Sequence, residues 1–72
     1  MDQHEHDLHH LRIQAVTECV ELFDGDVVAA ERWMSKPVRG LGYKTPEDML
    51  SSETAIEQLR NLVARLEHGI TT

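Results

Sequence analysis

The stretch of sequence that decides the fold is Ser52–Ile70, SETAIEQLRNLVARLEHGI. Its apolar residues recur at alternating spacings of three and four, which is the pattern of an amphipathic α-helix. They are Ile56, Leu59, Val63, Leu66 and Ile70. Ser51 or Ser52 can accept hydrogen bonds from the free N–H groups at the start of this helix. His68 closes it, and Gly69 suits the left-handed conformation of the next residue. We therefore predict a long last helix.

Two earlier segments show the same helical spacing. A wide apolar face from Leu8 onward predicts a first helix that begins near Asp7 and ends near Phe23. The segment 24–26, Asp-Gly-Asp, breaks that helix, and its last residue can cap a second helix over residues 27 to about 35. Val27, Ala30, Trp33 and Met34 would share the apolar side of this helix. Pro37 prevents its continuation because it biases the preceding residue away from helical angles.

The middle of the chain has no helical period. Residues 37–44 contain a proline and two glycines, which predicts an ordered connecting loop. Thr45-Pro46 then has the hydroxyl cap and first-turn proline of a helix start, so we expect a short third helix with Met49 and Leu50 directed inward. No segment alternates like a strand. The prediction is an all-α bundle of about four helices, in one domain over 8–72, after a frayed segment 1–7.

Composition narrows the class of protein. The chain has 72 residues, with 7 Lys and Arg against 13 Asp and Glu, which gives a net charge of −6. This charge argues against binding to duplex nucleic acid, which needs basic residues gathered on one face. No apolar run approaches the roughly 20 residues that cross a bilayer, and the start of the chain lacks a secretion signal. The single cysteine, Cys19, cannot form an internal disulfide. We therefore expect a cytoplasmic protein without membrane or nucleic-acid contacts.

The basic residues are unevenly distributed. No acid lies between Glu31 and Glu47, whereas four bases do, and we call these four the basic segment: Arg32, Lys36, Arg39 and Lys44. The plainest interpretation is a helix end and an ordinary polar loop. A second is an anion site, in which Gly40 and Gly42 let backbone N–H groups approach a phosphate. A third is a surface for an acidic partner.

Catalytic and metal-binding chemistry find little support. His6 and His10 are four residues apart and could face one metal ion, with His4, His9 and Asp7 nearby. A solvated N-terminal tail explains these residues more simply, so we predict no metal and no cofactor.

The remaining candidates are also explained by structure. Cys19 lies on the apolar side of the first helix and should fill the core. Glu18 and Glu21 form no acid–base pair and should be solvated. Trp33 is expected to anchor the core, and Tyr43 to be exposed in the loop. We therefore expect no enzyme activity.

An ordered series of residues resembles a known family. Its densest parts are Trp33-Met34 followed by Pro37, Leu41-Gly42 followed by Thr45-Pro46, and the ending Glu67-His68-Gly69. In order, over about residues 13 to 70, they resemble the toxin-binding domain of the Xre/MbcA/ParS antitoxin family. In that family an N-terminal helix-turn-helix that binds the operon's promoter usually precedes this domain. No such part precedes residue 13, so we expect no direct DNA binding.

The resemblance implies that this chain inhibits a toxin with a RES domain, an enzyme that consumes NAD. The end of the last helix and the residues beyond it would cover the active-site cleft of the toxin. The loop from Pro37 to Thr45 would also meet the toxin. Arg65 would make the polar contact and Ile70 would act as an apolar plug. The candidate toxin-binding residues are Arg39, Leu41, Tyr43, Arg65, His68, Gly69 and Ile70.

An alternative from a different class is a stand-alone homodimeric regulatory or scaffold module without a toxin partner. The wide apolar face of the first helix would then pair with its copy. A homodimer is expected under either hypothesis. A nucleic-acid binder that uses the basic segment is a weaker alternative, and it predicts steeply salt-dependent binding.

Overall fold

The computed structural model describes residues 3–69, and the side chains of residues 7–69. Three helices form the domain: α1 (Gln3–Leu22), α2 (Val27–Met34) and α3 (Glu53–Glu67). Two short 3₁₀ turns, Arg39–Leu41 and Asp48–Ser51, lie between α2 and α3. Within residues 3–69 there is no strand, only one isolated antiparallel bridge between Val38 and Lys44. The predicted all-α bundle is confirmed, with a 3₁₀ turn in the place of the short third helix.

Helix α1 begins earlier than the sequence predicted. It starts at Gln3, four residues before the predicted start at Asp7, and it ends at Leu22. Once the packed part of a helix has formed, each further turn adds backbone hydrogen bonds at little cost, so residues 3–6 need no apolar face of their own. No helix in the described part of the chain, α1 included, is long and apolar enough to cross a membrane.

The core lies between α1 and α3. Ala15 and Cys19 of α1 face Ile56, Leu59 and Val63 of α3, and all five are buried. The buried side chains that complete the core come from α2, the two turns and α3: Met34, Leu41, Met49 and Leu62. The positions of Cys19 and of the α3 stripe confirm the helical periodicity predicted from the sequence.

Trp33 packs against the edge of this core. It is partly buried, and its ring centroid lies 6.0 Å from that of Phe23, with the planes tilted by 54°. Its predicted role as a core anchor is confirmed. Val27, which the sequence placed on the same side of α2, is instead exposed together with Val28. Helix α2 has eight residues, and its first turn extends past the edge of the core.

The predicted helix boundaries depend on capping residues that the structure confirms. Asp26 Oδ1 accepts a hydrogen bond from Ala29 N (3.1 Å), and Ser52 Oγ accepts one from Ala55 N (3.2 Å). Thr45 Oγ1 likewise accepts a hydrogen bond from Asp48 N (3.2 Å). The extended backbone of Ser52 ends the segment after Thr45 within one turn, so it remains a 3₁₀ turn. Gly69 has the left-handed φ of +76° expected after the last helix.

One interaction between α1 and α3 corrects the sequence analysis. Glu18, predicted to be an ordinary solvated acid, accepts two hydrogen bonds from Arg60, Nε to Oε1 at 2.9 Å and Nη2 to Oε2 at 3.0 Å. Both side chains are about one-third exposed. The hydrogen bond to Glu18 raises the pKa of Arg60 above its usual value. This pair joins α1 to α3 at the edge of the core.

Candidate functional site

Backbone hydrogen bonds close residues 38–44 into a ring, and we call this segment the closed loop. Val38 N donates a hydrogen bond to the carbonyl oxygen of Lys44 (3.0 Å), and Tyr43 N donates one to the carbonyl oxygen of Val38 (3.0 Å). Inside this ring the 3₁₀ turn is held by a hydrogen bond from Leu41 N to the Val38 carbonyl oxygen (3.0 Å). The loop therefore has a defined backbone although it contains no α-helix.

The closed loop rests directly on α3. Leu41 is only 8% exposed and belongs to the core. Gly40 lies so close to Leu62 of α3 that a Cβ atom added to Gly40 would be 2.8 Å from Leu62 Cδ1. Ordinary carbon atoms separate by about 3.5–4 Å, so glycine allows this approach. The position of the loop relative to α3 is therefore set by packing.

A groove of about 350 Å³, which we call the loop groove, lies between the closed loop and α3. It brings together Leu41 and Arg65, two of the candidate residues that the sequence singled out. The other lining residues, which the sequence analysis did not assign to a toxin contact, are Gly40, Gly42, Gln58, Asn61 and Leu62. Gln58, Asn61 and Arg65 are spaced by three and four along α3, a signal of one shared helix face that the sequence contained.

The remaining candidates lie around this groove or beyond it. Arg39 and Tyr43 are exposed on the closed loop, and His68 and Gly69 are exposed after the end of α3. Leu41 is buried, so it forms the floor of the groove and is not an exposed contact. Ile70, the predicted plug, lies outside the described residues.

Tyr43 has an unusual backbone conformation. Its φ is +64°, directly after Gly42 at +65°, and its side chain is 69% exposed, which confirms the predicted exposure. A left-handed conformation costs an ordinary residue about 1–2 kcal/mol. Strained positions of this kind concentrate at functional sites. Tyr43 therefore combines an exposed aromatic side chain with a left-handed backbone on the closed loop.

An adjacent face of α3 carries a second groove, of about 480 Å³, which we call the acidic groove. Arg60 is its basic residue. Four carboxylates also line it, those of Glu18, Glu21, Glu57 and Glu67. Asn61 borders both grooves. Helix α3 thus separates an acidic surface from one that carries Arg65.

The structure shows where the candidate thiol and the candidate metal ligands lie. Cys19 is buried, and burial, followed by the charge of Glu18, raises the pKa of its thiol to about 11. The thiolate is therefore scarce near neutral pH. Among the residues whose positions are described, no three His, Cys, Asp or Glu side chains are grouped as metal ligands. The side chains of His4 and His6 lie outside the described part.

Comparison with known proteins gives one matching family model and two similar curated proteins. The model of the antitoxin Xre/MbcA/ParS C-terminal toxin-binding domain matches residues 20–69, which include the closed loop and all of α3. The chain is 45% identical over 60 residues to Antitoxin Xre of Photorhabdus laumondii subsp. laumondii, covering 83% of this chain and 40% of that protein. It is 40% identical over 58 residues to Antitoxin Xre of Yersinia enterocolitica serotype O:8, covering 81% and 39% respectively.

The chain spans about two fifths of the length of these curated relatives. The matched part contains every element that forms the loop groove. The resemblance seen in the sequence is confirmed: this chain belongs to the Xre/MbcA/ParS family of antitoxin C-terminal toxin-binding domains.

Proposed function

We propose that this chain inhibits a RES-domain, NAD-consuming toxin by covering the active site of the toxin, without catalysis of its own. The family supports a toxin as the partner. The RES domain of that toxin follows from the resemblance discussed above. Inhibition by coverage requires a rigid surface and no reactive group, which agrees with the buried, protonated thiol of Cys19. We place this inhibition in the cytoplasm, where NAD is available.

The observation that carries the proposal is the packing of the closed loop on α3. It places Leu41 and Arg65, 24 positions apart in the chain, on one groove. The exposed Tyr43 lies on the same loop, and His68 follows at the end of α3. Arg65 would displace polar contacts of the substrate, and the residues after Gly69, including Ile70, would enter the cleft of the toxin.

The test is coexpression of the chain with the product of the adjoining reading frame. Loss of NAD and co-elution on a sizing column are measured together. We expect a stable complex in which NAD consumption is suppressed. A neighbour that consumes NAD in the presence of the chain, or that neither consumes NAD nor co-elutes, would overturn the proposal.

Variants of exposed arginines locate the contact. Arg65→Glu should weaken inhibition, whereas Arg32→Glu introduces the same change of charge on α2, away from the residues that line the loop groove. Both side chains are exposed, so neither change should unfold the protein. Equal inhibition by the two folded variants would remove Arg65 from the site.

A homodimer is a second proposal, and an exposed apolar patch on α1 favours it. Ile13 is 53% exposed and lines a shallow groove of about 300 Å³ with Val16 and Thr17. Apolar side chains in such a groove gain stability when a second surface removes them from water. The patch lies on a different helix from the loop groove, so self-association is compatible with toxin binding. If no toxin is found, a stand-alone homodimeric regulatory or scaffold module becomes the better function.

A further inference from the structure

We infer that the loop groove receives an extended acidic segment of the partner protein. This inference rests on the proposed function, in which the partner is the toxin. It adds that the segment of the toxin bound by the loop groove is acidic. Three independent features carry it: the unpaired cations, the polar groups in the groove, and the opposite charge of the neighbouring groove.

The first feature is the set of cations without an acidic partner. The chain has seven Lys and Arg residues. Arg60 pairs with Glu18, and Arg12 Nε donates a hydrogen bond to the carbonyl oxygen of Leu50 (2.8 Å). In the part of the chain with described side chains, the other five form neither an ion pair nor a side-chain hydrogen bond: Arg32, Lys36, Arg39, Lys44 and Arg65. Of these five, Arg65 lines the loop groove, and Arg39 and Lys44 lie on the closed loop beside it, so these three are available to an anion there.

The second feature is the polar lining of the loop groove. Gln58 and Asn61 are exposed, and within residues 7–69 their amides have no hydrogen-bond partner. Arg65 lies one turn further along α3 and can bind a carboxylate through two parallel hydrogen bonds. Gly40 and Gly42 have no side chains, so an extended backbone can approach the floor formed by Leu41 and Leu62. The groove thus offers donors to carboxylates and apolar surface to the backbone between them.

The third feature is the charge of the acidic groove across α3. Glu18 is paired with Arg60, and the other three carboxylates, Glu21, Glu57 and Glu67, repel an acidic segment that would lie on that side. Asn61 stands at the border between the two grooves. The repulsion therefore confines an acidic segment to the loop groove and fixes the side of α3 on which the partner binds.

An NMR titration with synthetic peptides tests this inference without the toxin. The full ¹⁵N-labelled chain is titrated with octaglutamate, and with octalysine as the opposite-charge control. We expect octaglutamate to shift the backbone amides of residues 40–42, 61 and 65. Octalysine should instead shift those of Glu57 and Glu67. No shift at millimolar octaglutamate, or shifts spread equally over all five unpaired cations, would overturn the inference.

Charge reversal gives the matched comparison. Arg65→Glu should weaken octaglutamate binding about fivefold or more, since one exposed ion pair contributes up to about 1 kcal/mol and reversal also adds repulsion. Arg32→Glu has the same net charge and should change binding less than twofold. Equal losses in the two variants would show attraction to the overall charge only, and the inference would fail.

The two proposals fail in different ways. Suppressed NAD consumption with no octaglutamate binding in the loop groove would leave the proposed function standing and overturn the acidic-segment inference. Octaglutamate binding that depends on Arg65, with a toxin that is not inhibited, would overturn the proposed function and leave the acid-binding groove intact.

Discussion

Tyr43 pairs an unfavourable backbone conformation with an exposed aromatic side chain. The free domain gains little from this side chain, because it contributes nothing to the buried core. Asn and Asp tolerate the left-handed region better than bulky residues do. We therefore propose that the phenol ring of Tyr43 contacts the partner in a complex.

We predict that Tyr43→Asn stabilises the free domain and weakens toxin inhibition. The free energy of unfolding should rise by up to about 1 kcal/mol as the left-handed strain is relieved. Urea unfolding and the NAD assay measure the two effects. Tyr43→Phe keeps the ring and the strain, so its stability should match that of the parent chain. Unchanged inhibition by Tyr43→Asn would show that the ring is not a contact.

We predict that the buried thiol of Cys19 makes the folded chain less stable in alkaline solution. Burial raises the pKa of its thiol from 9.0 to about 11 in the folded chain. Below pH 9 the thiol is protonated in both states, and the full stability is present. Between pH 9 and 11 the unfolded chain releases the proton while the folded chain retains it, so the free energy of unfolding falls, by up to about 3 kcal/mol.

Urea unfolding at pH 8 and pH 10.5 measures this loss. The control is Cys19→Ala, which lacks the thiol and keeps every other ionisable group. We expect a smaller loss in Cys19→Ala than in the parent chain. Equal losses would show that the thiol does not couple to folding.

Single residues were predictable where their surroundings are local. The apolar spacing of α1 predicted that Cys19 is buried, and the glycine-rich loop predicted that Tyr43 is exposed. The Glu18–Arg60 pair was not predicted, because its members are 42 residues apart and meet only after α1 and α3 pack. Leu41 was assigned to the partner surface although it is buried, because a loop sequence has no period to indicate which side chain turns inward.

At the level of elements, the closed loop packs closely on α3 because Gly40 has no Cβ atom. We predict that Gly40→Ala lowers the free energy of unfolding by about 1–2 kcal/mol, since the added Cβ would lie 2.8 Å from Leu62 Cδ1. The loop would shift away from Arg65, so toxin inhibition should weaken as well.

A double-mutant cycle checks the cause of this effect. Leu62→Val removes the Cδ atoms that meet the new methyl group. Gly40→Ala should therefore cost less in the Leu62→Val background, and urea unfolding of the four proteins gives the coupling. Additive effects would show that the close approach to Leu62 does not cause the loss of stability.

Element boundaries followed from the sequence wherever a side chain caps a helix. Asp26, Thr45 and Ser52 all accept the hydrogen bonds that their positions predict. The start of α1 was missed because polar residues 3–6 extend a helix that is stabilised elsewhere. The short third helix is a 3₁₀ turn, because capping residues indicate where a helix starts and give little information on how many turns follow.

At the scale of the whole molecule, the sequence named both halves of the candidate site but not their adjacency. The closed loop and the end of α3 were chosen separately, from the family resemblance. Their common groove arises from the burial of Leu41 and the contact of Gly40 with Leu62. The acidic groove is likewise a product of packing, since it combines glutamates of α1 and α3.

The apolar patch on α1 predicts the behaviour of the whole molecule in solution. We expect the parent chain to sediment as a dimer and Ile13→Glu to sediment as a monomer with unchanged helicity by circular dichroism, because Ile13 is 53% exposed. Gln14→Glu makes the same change of charge at an exposed neighbour outside the patch, and it should remain dimeric. A monomeric parent chain, or a dimeric Ile13→Glu variant, would contradict a dimer through this patch.

The central position of α3 also determines when the domain can form during synthesis. Helix α3 packs against α1 and against both turns, and it follows all of them in the chain. Until α3 has left the ribosome, α1 can pack only on α2, and the core positions that face α3 stay uncovered. A nascent chain that stops before residue 53 therefore exposes its apolar side chains to proteases and chaperones, and its loop groove does not yet exist.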